Sequence, residues 1–208
     1  MSPHDHRVPH HRRCIRLRGY DYAMPGAYFV TICTWDRLCL FGEIADDAVR
    51  LSAAGEIAAA CWCEIPTHFP DVELDASVMM PNHVHGIINI VGATHASPLP
   101  VRQTPHGSHL PSRGPRPYSV GAVVGSFKSA TTRRVRGIMN AVQAVHALPI
   151  SSKCRQPIWQ RNYYEHIVRD EATLTRLRQY IADNPARWAQ DDENPSRIKE
   201  VGHDRMIW

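Results

Sequence analysis

Two histidines one residue apart, His83 and His85, follow the Pro81-Asn82 pair and open the run His83-Val84-His85-Gly86-Ile87-Ile88. In an extended chain, residues two apart project to the same face, so both imidazoles point the same way and can offer nitrogens to one divalent cation. A hydrogen-bonded or solvated pair of strand histidines is the ordinary alternative, and the pair alone leaves both readings open. A tyrosine hydroxyl is a nucleophile that such a cation can serve. A phenol with a pKa near ~10 is only about one part in a thousand phenolate at neutral pH, so it requires activation. A cation bound to a scissile phosphate supplies that activation: it neutralises charge on the phosphate oxygens and holds phosphorus for in-line attack.

The charge distribution points to the substrate. The formal net charge is only +4, yet no Asp or Glu occurs from Ala76 to Tyr164. That stretch carries Arg102, Arg113, Arg116, Lys128, Arg133, Arg134, Arg136, Lys153, Arg155 and Arg161, which favours a polyanionic partner, with nucleic acid the natural one. Lys128, Arg133, Arg134 and Arg161 are the candidate phosphate contacts, each with the alternative of a solvated surface charge. Metal nucleases that activate water usually gather carboxylates around their ions. Here the nearest downstream acids are Glu165, Asp170 and Glu171, so a carboxylate ligand would have to be brought by the fold.

The elements that must position these residues follow from periodicity. Gly26 to Thr34 is rich in β-branched and aromatic residues and reads as the first strand; Ser52 to Glu64 reads as a helix that Pro66 ends. Val72 to Met80, with Val72, Leu74, Ala76, Val78 and Met80 on one face, and His83 to Val91 form a hairpin across Pro81-Asn82. Ser119 to Ile138 is helical, with Val120, Val123, Val124 and Phe127 as its buried stripe. Pro149 to Gln156 reads as a loop and Ile158 to Val168 as a strand; Asp170 then caps a helix from Glu171 to about Asp183, ended by Pro185. Leu174, Leu177 and Ile181 form the apolar stripe of that helix, and Tyr180 and Asn184 lie one turn apart on its flank. The spacing divides the chain into a His/Arg-rich arm (1–18), a catalytic domain (19–190) carrying a Pro-rich basic insertion (93–118), and a polar, peripheral tail (191–208). In the insertion the composition cannot supply a packed core.

At 208 residues with 43% apolar content, one domain with a real core is expected. No run approaches the roughly 18 apolar residues of a membrane span, and the His/Arg-rich start lacks the apolar core of a signal peptide. A soluble protein of the bacterial cytoplasm, associated with the nucleoid, is expected. The six cysteines contain no C-x-x-C pair and are expected to be reduced thiols; Cys61-Trp62-Cys63 lacks the partners a zinc site needs.

The segment Met79-Met80-Pro81-Asn82-His83-Val84-His85-Gly86-Ile87-Ile88 resembles the REP-associated tyrosine transposases of the His-hydrophobic-His superfamily. So do Tyr28-Phe29-Val30-Thr31, Ser126-Phe127-Lys128-Ser129, Trp159-Gln160-Arg161-Asn162-Tyr163-Tyr164 and Tyr180-Ile181-x-x-Asn184-Pro185. Together they cover most of residues 26 to 188; the arm and the Pro-rich insertion fall outside the shared pattern. The resemblance implies a ferredoxin-like α+β domain in which His83, His85 and Asn184 hold Mg²⁺ or Mn²⁺ and Tyr180 is the nucleophile, with Tyr163 and Tyr164 as its rivals. It implies single-stranded or hairpin-forming repeat DNA as partner, cut and rejoined through a 5′-phosphotyrosine. Of monomer and homodimer, the members associated with dispersed repeats point to the monomer. The alternative function is a repeat-binding or regulatory protein that keeps the fold without turnover, and a third is a water-activating hydrolase using the same histidines.

Overall fold

The computed structural model describes residue 17 and residues 19–92, 115–146 and 156–197. The expected arm apart from Leu17, residues 93–114 of the expected insertion, all but Gln156 of the expected Pro149–Gln156 loop, and the tail beyond residue 197 lie outside the described residues.

Four strands form one antiparallel sheet: β1 (Gly26–Cys33), β4 (Val72–Met79), β5 (His83–Ile90) and β6 (Tyr164–Val168), in the order β4-β5-β1-β6. Two helices make the crossovers, α1 (Ala53–Cys63) between β1 and β4 and α3 (Val120–His146) between β5 and β6. This βαββαβ order with the first and third core strands central is the ferredoxin-like arrangement. A small hairpin, β2 (Gly42–Ala45) and β3 (Ala48–Leu51), and a short helix, α2 (Ile65–His68), are inserted around α1. A further helix, α4 (Glu171–Asp183), follows β6.

Alternation along the strands builds two unlike layers. Tyr28, Val30 and Ile32 of β1 and Val84, Ile88 and Ile90 of β5 face α1 and α3, where Trp62, Val120, Val123, Val124 and Phe127 complete the larger core. Gly86 belongs to that face because Trp62 lies on it: a Cβ added there would stand 2.2 Å from Trp62 Cζ2. The opposite face carries a smaller core of Phe29, Ile87 and Ile181, with Leu174 and Leu177 of α4 packed against it. Thr31, His83 and His85 lie on this second face, beside α4.

Several expectations need correction. β4 does not keep one face throughout. Its pairing with β5 shifts between Leu74 and Ser77, so Asp75 and Ala76 oppose a single residue, a bulge that turns the strand. Val72 and Leu74 therefore join the larger core while Ala76 and Val78 join the α4 layer. Pro66 does not stop helical structure but sits in the first turn of α2, where its missing N–H is no loss. The expected strand from Ile158 shrinks to β6 plus an isolated bridge between Thr34 and Trp159. The intervening carbonyls of Gln160, Arg161 and Asn162 accept instead from the Lys128 ammonium, at 2.9, 3.5 and 3.1 Å. α3 continues past the expected end at Ile138. The β2–β3 hairpin went unanticipated because its turn residues, Asp46 and Asp47, take left-handed backbone angles without the usual glycine.

Candidate active site

His83 and His85 lie at the start of β5, opposite Cys33 and Thr31 of β1. Both are buried on the α4 face, and their Nε2 atoms are 2.9 Å apart. The hydrogen-bond network assigns their protons. Asn82 Nδ2 donates to the carbonyls of Arg37 (3.1 Å) and Glu193 (2.7 Å), which leaves Asn82 Oδ1 facing His83 Nδ1 at 2.8 Å. That oxygen can only accept, so His83 carries its proton on Nδ1 and presents a bare Nε2. The Arg37 carbonyl is brought there by a tight turn in which Asp36 and Arg37 both adopt left-handed angles.

His85 has more freedom. Its Nδ1 is 2.9 Å from the Thr31 hydroxyl, which serves as donor or acceptor. Without a cation, a proton on His85 Nε2 reconciles the close approach to His83; with the proton moved to Nδ1, donated to Thr31, both Nε2 lone pairs are exposed to one point. Partners of this kind set the ring tautomer and orientation of metal-binding histidines. Burial pushes both imidazoles well below their ordinary pKa, so they are neutral at pH 7, the form that ligates metals.

α4 brings the tyrosine. Asp170 caps the helix, Oδ1 accepting from Thr173 N at 2.7 Å, as the sequence predicts. Arg178 ties the helix to the β4 bulge through Asp75 (2.7 and 3.0 Å) and back to Glu171 at 3.2 Å. Two residues on, the Tyr180 hydroxyl reaches 3.2 Å from His85 Nε2, its ring set edge-on to those of His85 and Phe29. The ring is 40% exposed, so a substrate can reach it. Burial of the hydroxyl end and the nearby Asp191 carboxylate push the phenol up to about 12, against a hydrogen bond from Asn184 that lowers it. Phenolate is therefore scarcer than in a free tyrosine. Tyr163 packs against the larger core beneath Lys128, whereas Tyr164 is exposed, paired with Thr31 on the site's face.

A carboxylate joins the histidines from the expected tail. Asp191 is buried rather than peripheral, with Oδ2 3.7 Å from His83 Nε2 and without a hydrogen-bond partner among the described residues, while Oδ1 accepts from Glu193 N. The segment is held by Arg37 to Glu193 (2.8 Å), by the Cys33 thiol donating to Glu193, and by the Trp188 ring near His83. Ligand atoms of His83, His85 and Asp191 all lie within 4.8 Å of one another. Asn184, buried at the end of α4, has an Oδ1 that is also unpartnered. Two convergent imidazole nitrogens and two orphaned buried oxygens suit a divalent cation, because an unpaired buried acceptor is costly unless something positive fills the gap.

The site thus gathers His83, His85, Tyr180 and Asn184, together with Thr31, Asn82 and Asp191, which sequence reasoning had not assigned. Asn82 stood in the motif as a turn residue, and Asp191 carried no signal at all. The expected phosphate contacts are not part of this cluster. Lys128 is clamped by carbonyls, Arg134 forms a two-pronged pair with Glu64 (2.8 and 2.6 Å), and Arg133 and Arg161 line a cleft elsewhere. Among the described residues no helix is long and apolar enough to cross a membrane.

No protein-family model matches the chain. Among solved structures, the chain is similar to a REP-associated tyrosine transposase bound to a REP hairpin, at 18% identity and a TM-score of 0.46, over 83% of this chain and 73% of that one. In sequence it is similar to an uncharacterized protein of Haemophilus influenzae, 39% identical over 185 residues, or 88% of this chain and 92% of that protein. At that identity and coverage, the chain belongs to the same protein family as the Haemophilus influenzae protein.

Proposed function

We propose that the protein is a metal-dependent endonuclease and strand-transferase of single-stranded DNA, a transposase-like enzyme that works through a 5′-phosphotyrosine on Tyr180. The observation that carries this reading is the 3.2 Å approach of the Tyr180 hydroxyl to His85 Nε2, which lies 2.9 Å from His83 Nε2. A partly exposed tyrosine beside buried, neutral imidazoles is an arrangement that a structural tyrosine does not require. The motif resemblance agrees with it and implies hairpin-forming repeats as the substrate.

His83, His85 and Asp191, with Asn184 beside Tyr180, would hold Mg²⁺ or Mn²⁺. A bound cation would supply positive charge opposite the scissile phosphate oxygens. Tyr180 Oη attacks phosphorus, forming the P–O(Tyr180) bond as the P–O3′ bond breaks; the phenolic proton is lost and the departing O3′ gains one. A 3′-hydroxyl from another strand reverses the same exchange and joins that strand, so cutting and rejoining need no nucleotide cofactor. Asn184, one turn on, lowers the phenol's pKa, and Phe29 and His85 pack edge-on against the ring.

A second reading has one observation in its favour. Asp191 gives the histidines the carboxylate partner that the acid-free stretch had seemed to deny, and two histidines with a carboxylate also suit water activation. One experiment separates the two. End-labelled single-stranded hairpin DNA is incubated with protein and Mn²⁺, Mg²⁺ or chelator and run on denaturing gels, alongside Tyr180→Phe and His83→Ala. A metal-dependent covalent protein–DNA band, lost in both variants, is expected. Cleavage without an adduct would establish the hydrolase, a band surviving Tyr180→Phe would move the nucleophile to Tyr164, and binding without cleavage would favour a silent DNA-binding protein.

A further inference from the structure

A cleft of about 450 Å³ lies between α3 and residues 157–161, outside the histidine and tyrosine cluster. Lys128, Arg133 and Arg136 line it from α3 and Arg161 from the facing segment, and none of its lining residues is acidic. Two of these cations build the walls. Lys128 binds the carbonyls of residues 160–162, and burial lowers its ammonium to about 8; Arg136 donates to the Gln156 carbonyl at 3.2 Å. The other two are available: the exposed guanidinium groups of Arg133 and Arg161 have no acceptor among the described residues. Elsewhere on the surface Arg134, Arg178 and Arg37 are neutralised by Glu64, Asp75 and Glu193. A concave surface with uncompensated guanidinium groups and no carboxylate concentrates anions.

The cleft wall and the active site share a neighbour in β1. Gln160, one of its lining residues, donates its N–H to the Cys33 carbonyl at 3.0 Å, and Cys33 lies opposite His83 in the β1–β5 register. One strand residue thus separates the cleft wall from the histidines. We propose that this cleft binds the sugar-phosphate backbone of the single strand flanking the scissile phosphate, with Arg133 and Arg161 contacting phosphates. The proposal rests on the DNA-processing function given above. Arg134, paired with Glu64, is not among the contacts, and Lys128 is a positioning residue that shapes the wall.

The test measures binding of labelled oligothymidylates of roughly 4 and roughly 16 nucleotides, the range of single-strand site sizes. It uses the full chain in the Tyr180→Phe background with chelator, across a salt series, so that no chemistry contributes. Arg133→Glu and Arg161→Glu are each expected to weaken the longer strand by about tenfold or more and to reduce the salt slope by about one, as for a lost phosphate contact. Arg133→Lys should restore part of the affinity, and Arg50→Glu, the same charge change on the β2–β3 hairpin, should leave binding within about twofold. Reversals that bind like Arg50→Glu would overturn the proposal. So would displacement of the long strand by inorganic phosphate at concentrations as low as those of competing oligonucleotide, which would mark a small-anion site. Because the binding arm is read without cleavage, absence of a covalent adduct in the gel assay would remove the catalytic reading and leave the cleft result to stand or fall separately.

Discussion

Asn82 does for His83 what Thr31 does for His85: each holds the ring nitrogen turned away from the site, but only Asn82 dictates the tautomer. An amide whose nitrogen is committed to two carbonyls has one remaining role, accepting from His83 Nδ1. The hydroxyl of Thr31 imposes no such choice, so His85 can place its proton toward Tyr180 and His83 or away from them. Asp191 and Asn184 supply the unpartnered oxygens. Asp191→Ala is therefore expected to weaken Mn²⁺ binding by at least about tenfold, and Asn82→Ala by roughly 10–100-fold through loss of ring orientation. Isothermal titration calorimetry checks both. An Asp191→Ala protein with wild-type affinity would leave the histidines and Asn184 as the ligand set.

At the scale of elements, two irregularities bring the site together. The bulge at Asp75 and Ala76 turns β4 so that Ala76 and Val78 meet α4, and it leaves the Asp75 carboxylate where Arg178 can clamp it. Arg178 in turn sets the rotation of α4, with Tyr180 two residues on and facing His85. The second is Gly86, between the histidine pair and Ile87, where Trp62 lies against the bare backbone. Gly86→Ala places a methyl into that indole, which itself packs edge-on to Phe127 at 5.3 Å, so neither ring has room to retreat. A loss of about 1–3 kcal/mol is expected, the usual cost of overpacking, measured as a shift in urea midpoint at constant slope. If Gly86→Ala were as stable as wild type, the tight seating of Trp62 on β5 would be wrong.

Across the whole molecule, the sheet separates tasks by face: one side holds the larger core under α1 and α3, the other holds the chemistry under α4. Burying two imidazoles on the second face links the site to global stability. Both are depressed below their ordinary 6.5 by burial, so as pH falls through that value the unfolded chain takes up protons at these positions while the folded chain does not. Stability is then fully present above about pH 6.5 and declines below it, by at most about 1.4 kcal/mol per pH unit for each histidine. Urea midpoints at pH 7 and pH 5 in chelator should show the decline, and the double variant His83→Gln with His85→Gln should show a smaller one. Equal pH dependence in wild type and double variant would mean that other groups control it.

Local patterns in the chain determined the two strands of the central hairpin, the shared face of His83 and His85, the capped helix with Tyr180 on its flank and the βαββαβ element order. Each follows from side-chain periodicity or capping within a few residues, which is information a sequence carries directly. Tertiary structure alone decided that β4 changes face, since a bulge leaves the apolar alternation of Val72 to Met80 unaltered as written. It alone brought Asp191 to a histidine more than a hundred positions away along the chain, because a short turn after α4 is held by Arg37, Cys33 and Asn82, residues from two other loops and a strand end. It also divided the basic residues, committing Arg134 to Glu64 and Lys128 to backbone carbonyls while leaving Arg133 and Arg161 open. A charge in a sequence states what a residue can attract; which partner reaches it first depends on distances that only the folded chain defines.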